Sequence, residues 1–242
     1  MCASLNGTVI QVADPSLEEK LLQARLFLQQ ARYKQAARLL DSVLDQQFMS
    51  LVDHLHTLAQ RALANALWKK TDRAINDASQ ILNAVRADID DLIHSEIDWD
   101  YEKSEDIGHL RFLADVFQMR GILHRLQKDQ RRAVEDLTIS IYMTRQGQDN
   151  QLSHLLRAAA LIELEDCLEQ ALADLQHVWL ENQTLVREWF DLPEHGEFSL
   201  LERGVCYHSD TIQIYFKPEK VRLRLNRVTP QWFRIYGFLG LE

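Results

Sequence analysis

Reactive side chains are present in this chain, but not in reactive arrangements. Nine histidines and three cysteines are available for metal ligation or nucleophilic chemistry among 242 residues. His54 and His56 lie two apart, which turns them to different faces of a helix and spoils joint ligation. In Glu194-His195-Gly196-Glu197 an imidazole stands beside carboxylates, but a helical metal pair needs a second histidine four residues away. That run reads as a solvated loop. Cys2, Cys167 and Cys206 have no paired spacing, so no disulfide framework is indicated and a reducing compartment is the natural setting. The chain contains no phosphate loop, no glycine-rich dinucleotide turn and no nucleophile elbow. The residues predict a non-enzymatic protein that takes no cofactor and no metal.

Charge narrows the partners. A net charge of -9 and a pI near 5.5 argue against affinity for the nucleic-acid backbone, which needs a concentrated positive surface. No stretch reaches the roughly eighteen apolar residues of a membrane span, and the first residues lack the charged and apolar regions of a secretory signal. The expectation is a cytoplasmic protein whose partner is another protein, with neither nucleic acid nor membrane involved.

The elements that would position a binding surface are helices, since only four prolines and eight glycines punctuate the chain. Four times a small residue is followed twelve positions later by alanine: Ala24 and Ala36, Ala62 and Ala74, Gly121 and Ala133, Ala159 and Ala171. Successive copies lie 38, 59 and 38 residues apart. Two helices that cross closely need small side chains where their backbones meet, flanked by larger apolar ones. Such flanks recur as Phe27, Leu40 and Val43, then Leu58, Ala78 and Ile81, then Phe117 and Leu137, then Leu155, Ile162, Leu175 and Val178. Residues 1–13 read as an N-terminal arm, 14–190 as four helical hairpins, and 191–242 as a C-terminal extension.

The pattern resembles the tetratricopeptide repeat, a helix-turn-helix unit of about 34 residues that stacks into a superhelix. It is clearest at Gly121-Ile122-Leu123-His124 with Ala133 and Leu137, and at Tyr33-Lys34-Gln35-Ala36 with Leu40. The resemblance implies a mainly α solenoid whose groove is lined by the first helix of each hairpin. A generic antiparallel bundle is the alternative reading of the same residues. Carried across, the groove positions are Glu18, Leu21, Arg25 and Leu28; His56, Ala59, Leu63 and Ala66; Asp115, Gln118, Ile122 and Arg125; and Ser153, Leu156, Ala160 and Glu163. An apolar floor with charges of both signs suits a peptide or helix of a partner. The family's clamp for a chaperone C-terminal carboxylate is not matched, because its positions carry Leu21, Arg25, Gln60, Asp115 and Met119. In acidity and apolar lining the chain is similar to the family's bacterial secretion chaperones. The implied function is an adaptor or chaperone, for which Leu63→Arg or Ile122→Arg is expected to abolish capture with helicity intact.

Along the chain, Asp14-Pro15-Ser16-Leu17-Glu18-Glu19 combines an N-cap, a first-turn proline and early carboxylates. The second hairpin is expected to turn at Lys70-Thr71-Asp72 and to continue helical towards Ile93. Residues 88–106 then hold nine carboxylates and one lysine around Trp99 and Tyr101, a solvated loop or an aromatic docking segment. Near the C-terminus, Thr211-Ile212-Gln213-Ile214-Tyr215-Phe216 and Val221-Arg222-Leu223-Arg224-Leu225 both alternate around Lys217-Pro218-Glu219-Lys220. They predict a β-hairpin with Arg222 and Arg224 on its polar face. The aromatic run at Trp232, Phe233 and Tyr236 either caps the last repeat or forms a homodimer or partner surface. The functional alternative to an adaptor is a structural subunit assembling through this tail and hairpin.

Overall fold

Helix starts follow local chemistry. Ser16 Oγ accepts from the Glu19 amide at 3.3 Å, and the Glu19 carboxylate accepts from the Ser16 amide at 2.7 Å, a reciprocal cap. Ser50 Oγ accepts from the Asp53 amide at 3.1 Å, and the Asp129 carboxylate from the Arg132 amide at 3.3 Å. The computed structural model describes residues 16–45, 49–86, 106–144, 150–164, 168–182, 184–185, 199–200, 205–208, 211–214 and 233. They are mainly helical. Their helices are α1 (Leu17–Gln29), α2 (Tyr33–Leu44), α3 (Leu51–Leu67), α4 (Thr71–Ala84), α5 (Asp106–Leu126), α6 (Gln130–Met143), α7 (Gln151–Leu164) and α8 (Leu168–Glu181).

Each helix packs on the one before and the one after it, so the chain forms four hairpins in series. All four small pairs are buried at the seams. Gly121 shows how tight a crossing is: a Cβ there would lie 2.8 Å from Leu137 Cγ and 3.3 Å from the Ala133 carbonyl oxygen.

Three of the turns are copies of one another. The amides of Arg32, Lys70 and Asp129 donate to the carbonyls of Phe27, Asn65 and His124 at 2.8, 2.7 and 2.9 Å. Each closes over a left-handed residue, Ala31 (φ 58°), Lys69 (φ 62°) and Lys128 (φ 65°). No glycine marks these positions, although a residue with a Cβ is strained there by about 1 kcal/mol.

One expectation shifts. The second turn falls at Trp68, Lys69 and Lys70, with Thr71 already helical. Helix α4 ends at Ala84, where Val85 (φ -113°, ψ 18°) leaves helical geometry, and the expected continuation towards Ile93 lies outside the described residues beyond Arg86. Residues 87–105, with Trp99 and Tyr101, lie outside the described residues.

Beyond the helices, β1 (Ser199–Leu200), β2 (Val205–His208) and β3 (Thr211–Ile214) form an antiparallel sheet in that order, with β3 against α8. Strand β3 covers Thr211–Ile214 of the alternating stretch, whose last two residues, 215–216, lie outside the described residues. Its partner among the described residues is β2, with Val205 opposite Ile214 and His208 opposite Thr211. The predicted partner at 221–225, with Arg222 and Arg224, lies outside the described residues, as does Trp232. No described helix is long and apolar enough to cross a membrane.

Candidate functional site

The two helices of a hairpin bury themselves differently. In the second helices burial follows one stripe: Ala36, Ala37, Leu40 and Val43 on α2, and Ala74, Asp77, Ala78, Ile81 and Leu82 on α4. That stripe is the seam with the first helix. The first helices of the later hairpins are buried all round. Residues 57–60 and 62–66 of α3, 112–119 of α5 and 155–162 of α7 are buried without interruption. At about 100° per residue, four consecutive positions already span most of a helix circumference.

Only α1 departs from this. It buries Ala24 and Leu28 and leaves Leu22 and Leu26 exposed.

The structure brings together six predicted groove residues: Leu28, Ala59, Leu63, Ala66, Ile122 and Leu156 belong to a single buried cluster, which also takes in second-helix residues such as Ala36, Ala78 and Leu137. Phe233, from the C-terminal segment, belongs to it too and is 1% exposed. Leu63 and Leu156 have no exposed surface, so a substitution at Leu63 or Ile122 strikes the core as well as any groove.

The polar groove positions are engaged with one another. Gln118 Nε2 donates to Ser153 Oγ at 3.4 Å, and Ser153 Oγ lies 3.2 Å from Ser140 Oγ. Arg125 is paired with Glu163, whose carboxylate also accepts from Gln130. Burial draws the Arg125 pKa down, with Glu163 opposing that shift, and Arg125 Nε and Nη1 have no partner among the described residues. Of the others, Leu21 and His56 are half-buried and Arg25 is exposed. His56 rests on the Phe112 ring at 5.3 Å, and its pKa is lowered by burial.

A second set of residues was not singled out in the sequence. Arg61 on α3 forks onto Asp77 of α4 at 3.1 and 2.8 Å, Arg120 on α5 onto Asp136 of α6 at 2.9 and 2.7 Å, and Arg157 on α7 onto Asp174 of α8 at 2.8 and 2.7 Å. Each arginine also reaches back to the preceding second helix: Asp41 at 2.9 Å, Ser79 at 3.3 Å and Thr138 at 3.1 Å. The aspartates stand three residues after the second small residue of their hairpins, and the backward partners five residues after theirs. One guanidinium thus links three helices, and the bidentate geometry fixes hairpin on hairpin.

Acid-base groups are drawn into this framework. His154 Nδ1 lies 2.7 Å from Asp174 Oδ1, and its ring meets that of His177 at a 51° tilt with 4.5 Å between centroids. Burial pushes the Asp174 pKa up, but hydrogen bonds from Arg157 and His154 outweigh it and hold the carboxyl below its usual value. His154 and Arg157 thus share one carboxylate, a histidine-carboxylate pair tied into the fork. No group of three potential metal ligands gathers among the described residues. What the arrangement offers is a row of apolar first helices with polar groups at its edge, continuous with the core that also takes in Phe233. A scan of protein-family models finds no match to this chain, and a search of curated proteins finds none either.

Proposed function

We propose that the chain is a non-enzymatic, tetratricopeptide-like solenoid that binds a peptide or helical segment of another protein along its first-helix row. The observation that carries this reading is the contrast in burial. The second helices need only a seam, whereas α3, α5 and α7 are apolar and covered on further faces, with Phe233 inside the same cluster. A row of apolar helices edged by polar groups has the chemistry to seat the apolar side chains of a partner segment. The repeating arginine forks support the solenoid part, since a similar three-helix link recurs at each of the three hairpin-to-hairpin junctions. Adaptor and chaperone roles both fit this binding mode.

The test places a photo-crosslinking residue at Arg25, exposed on a first helix, or at Gln80, exposed on a second helix. A distinct protein crosslinked from Arg25 but not from Gln80 is the expected result; equal labelling from both positions, or from neither, overturns the reading.

Phe233 also favours a second reading, a structural subunit whose row is permanently filled by its own chain and which assembles through the C-terminal sheet and tail. That reading predicts a mass above the monomer by light scattering, reverting to monomer when residues 231–242 are deleted.

A further inference from the structure

A separate feature lies at the hairpin turns, away from the first-helix row. Between the first and second turns is an open depression of about 590 Å³, lined by Arg32, Tyr33, Lys34, Arg38, Trp68 and Lys69 among others. Lys34 and Lys70 stand over the Trp68 ring at 5.8 and 5.3 Å, and Arg32 over Phe27 at 4.4 Å, which hold three cations at its rim.

Five cations gather here in a chain of net charge -9. Elsewhere the buried or half-buried arginines Arg61, Arg120, Arg125 and Arg157 are matched to carboxylates. Among the described residues, Arg32, Lys34, Arg38, Lys69 and Lys70 have no carboxylate within ion-pair distance.

Two further observations make the depression electropositive and open. Helix α2 begins beside it with no acidic residue in its first turn and no side-chain cap, so its positive end adds to the same field. At the corresponding gap between the second and third turns, Gln127 bonds across to Asp72 and Asp129 caps α6, so that gap is bridged and carries carboxylates.

We propose that this depression is a docking site for an acidic peptide segment of a partner protein, its carboxylates held by Lys34, Arg38, Lys69 and the start of α2. The depression spans two hairpins and exceeds what one inorganic anion fills. The negative charge of the remaining surface disfavours a long polyanion, which would run past the patch onto it. A short acidic segment matches both limits.

The probe is a fluorescein-labelled, glutamate-rich peptide carrying one tryptophan, followed by anisotropy with the full chain. Binding should weaken with added salt and fall about tenfold in the double variant Lys34→Glu and Arg38→Glu. Lys128→Glu with Arg132→Glu makes the same change in net charge at the third turn and should leave binding essentially unchanged. Lys34→Gln with Arg38→Gln repeats the loss without charge reversal, and circular dichroism verifies that each variant stays helical. No binding to the native chain, an equal loss in both charge-reversed variants, or stronger competition by a single-stranded oligonucleotide than by unlabelled peptide would each overturn the proposal.

Discussion

First and second helices of the hairpins share a seam yet differ in everything beyond it. On α4 the buried residues Ala74, Asp77, Ala78, Ile81 and Leu82 leave the opposite side to solvent, while on α5 every residue from 112 to 119 is buried. Seam packing alone accounts for the first pattern. The second requires contacts on further faces, and the core that α5 enters also takes in Phe233. The polar residues differ in the same sense: Arg61, Arg120 and Arg157 leave the first helices to bond the second ones, whereas Arg125 stays among the first helices and pairs with Glu163 on the next.

This contrast sets the scale of several substitutions. Leu63→Arg and Ile122→Arg each bury a cation with no partner and should cost about 3–5 kcal/mol, enough to unfold much of the population. Helicity by circular dichroism should fall, unlike the intact helicity expected from the sequence; unchanged melting temperatures for both would break the comparison. Phe233→Ala is next, at about 3 kcal/mol in urea denaturation if its ring fills the cluster. An effect within experimental error would mean that the row is covered without it.

The arginine forks sharpen the comparison from the other side. Asp174→Ala leaves Arg157 buried and uncompensated and should cost about 3 kcal/mol. Asp41→Ala removes a partner whose side chain is 46% exposed and should cost under about 1 kcal/mol. Equal losses for the two would show that the backward bond, not the fork, carries the stability.

The smallest effect is in pH. Burial holds the pKa values of His56 and His124 below the ordinary 6.5, so the unfolded chain binds more protons and stability falls as pH drops through that range. His124→Gln should flatten this slope in urea midpoints measured between about pH 7 and pH 5. Asp174 acts lower: its depressed pKa contributes stability that is fully present above 3.8 and lost as pH falls through the folded value.

How much of this was legible in the sequence depends on how local each cause is. The twelve-residue spacing was readable because a close crossing admits only small residues, and all eight of those positions are buried. The turns were harder to place, since Ala31, Lys69 and Lys128 occupy left-handed positions without glycine's signature. The forks join residues sixteen or seventeen apart, a separation with no helical period, yet aligning the copies on their small pairs places Asp77, Asp136 and Asp174 in one column. Leu63 and Ile122 show the opposite limit: an apolar residue at a groove position looks the same in sequence whether or not something lies over it. At the C-terminus, alternation located the strand at 211, but Val205-Cys206-Tyr207-His208 does not alternate and gave no sign that it was the partner.

One consequence of the forks concerns the order in which the molecule comes apart. Because each arginine latches its hairpin to the preceding second helix, no internal hairpin can loosen without releasing its predecessor, and local opening there becomes a shared event. Helix α1 stands outside that chain of latches: the residue preceding its small position is Gln23, where the next two hairpins carry Arg61 and Arg120. Its amide protons should therefore be the first of the helices to exchange with solvent, with unzipping proceeding inward from that end.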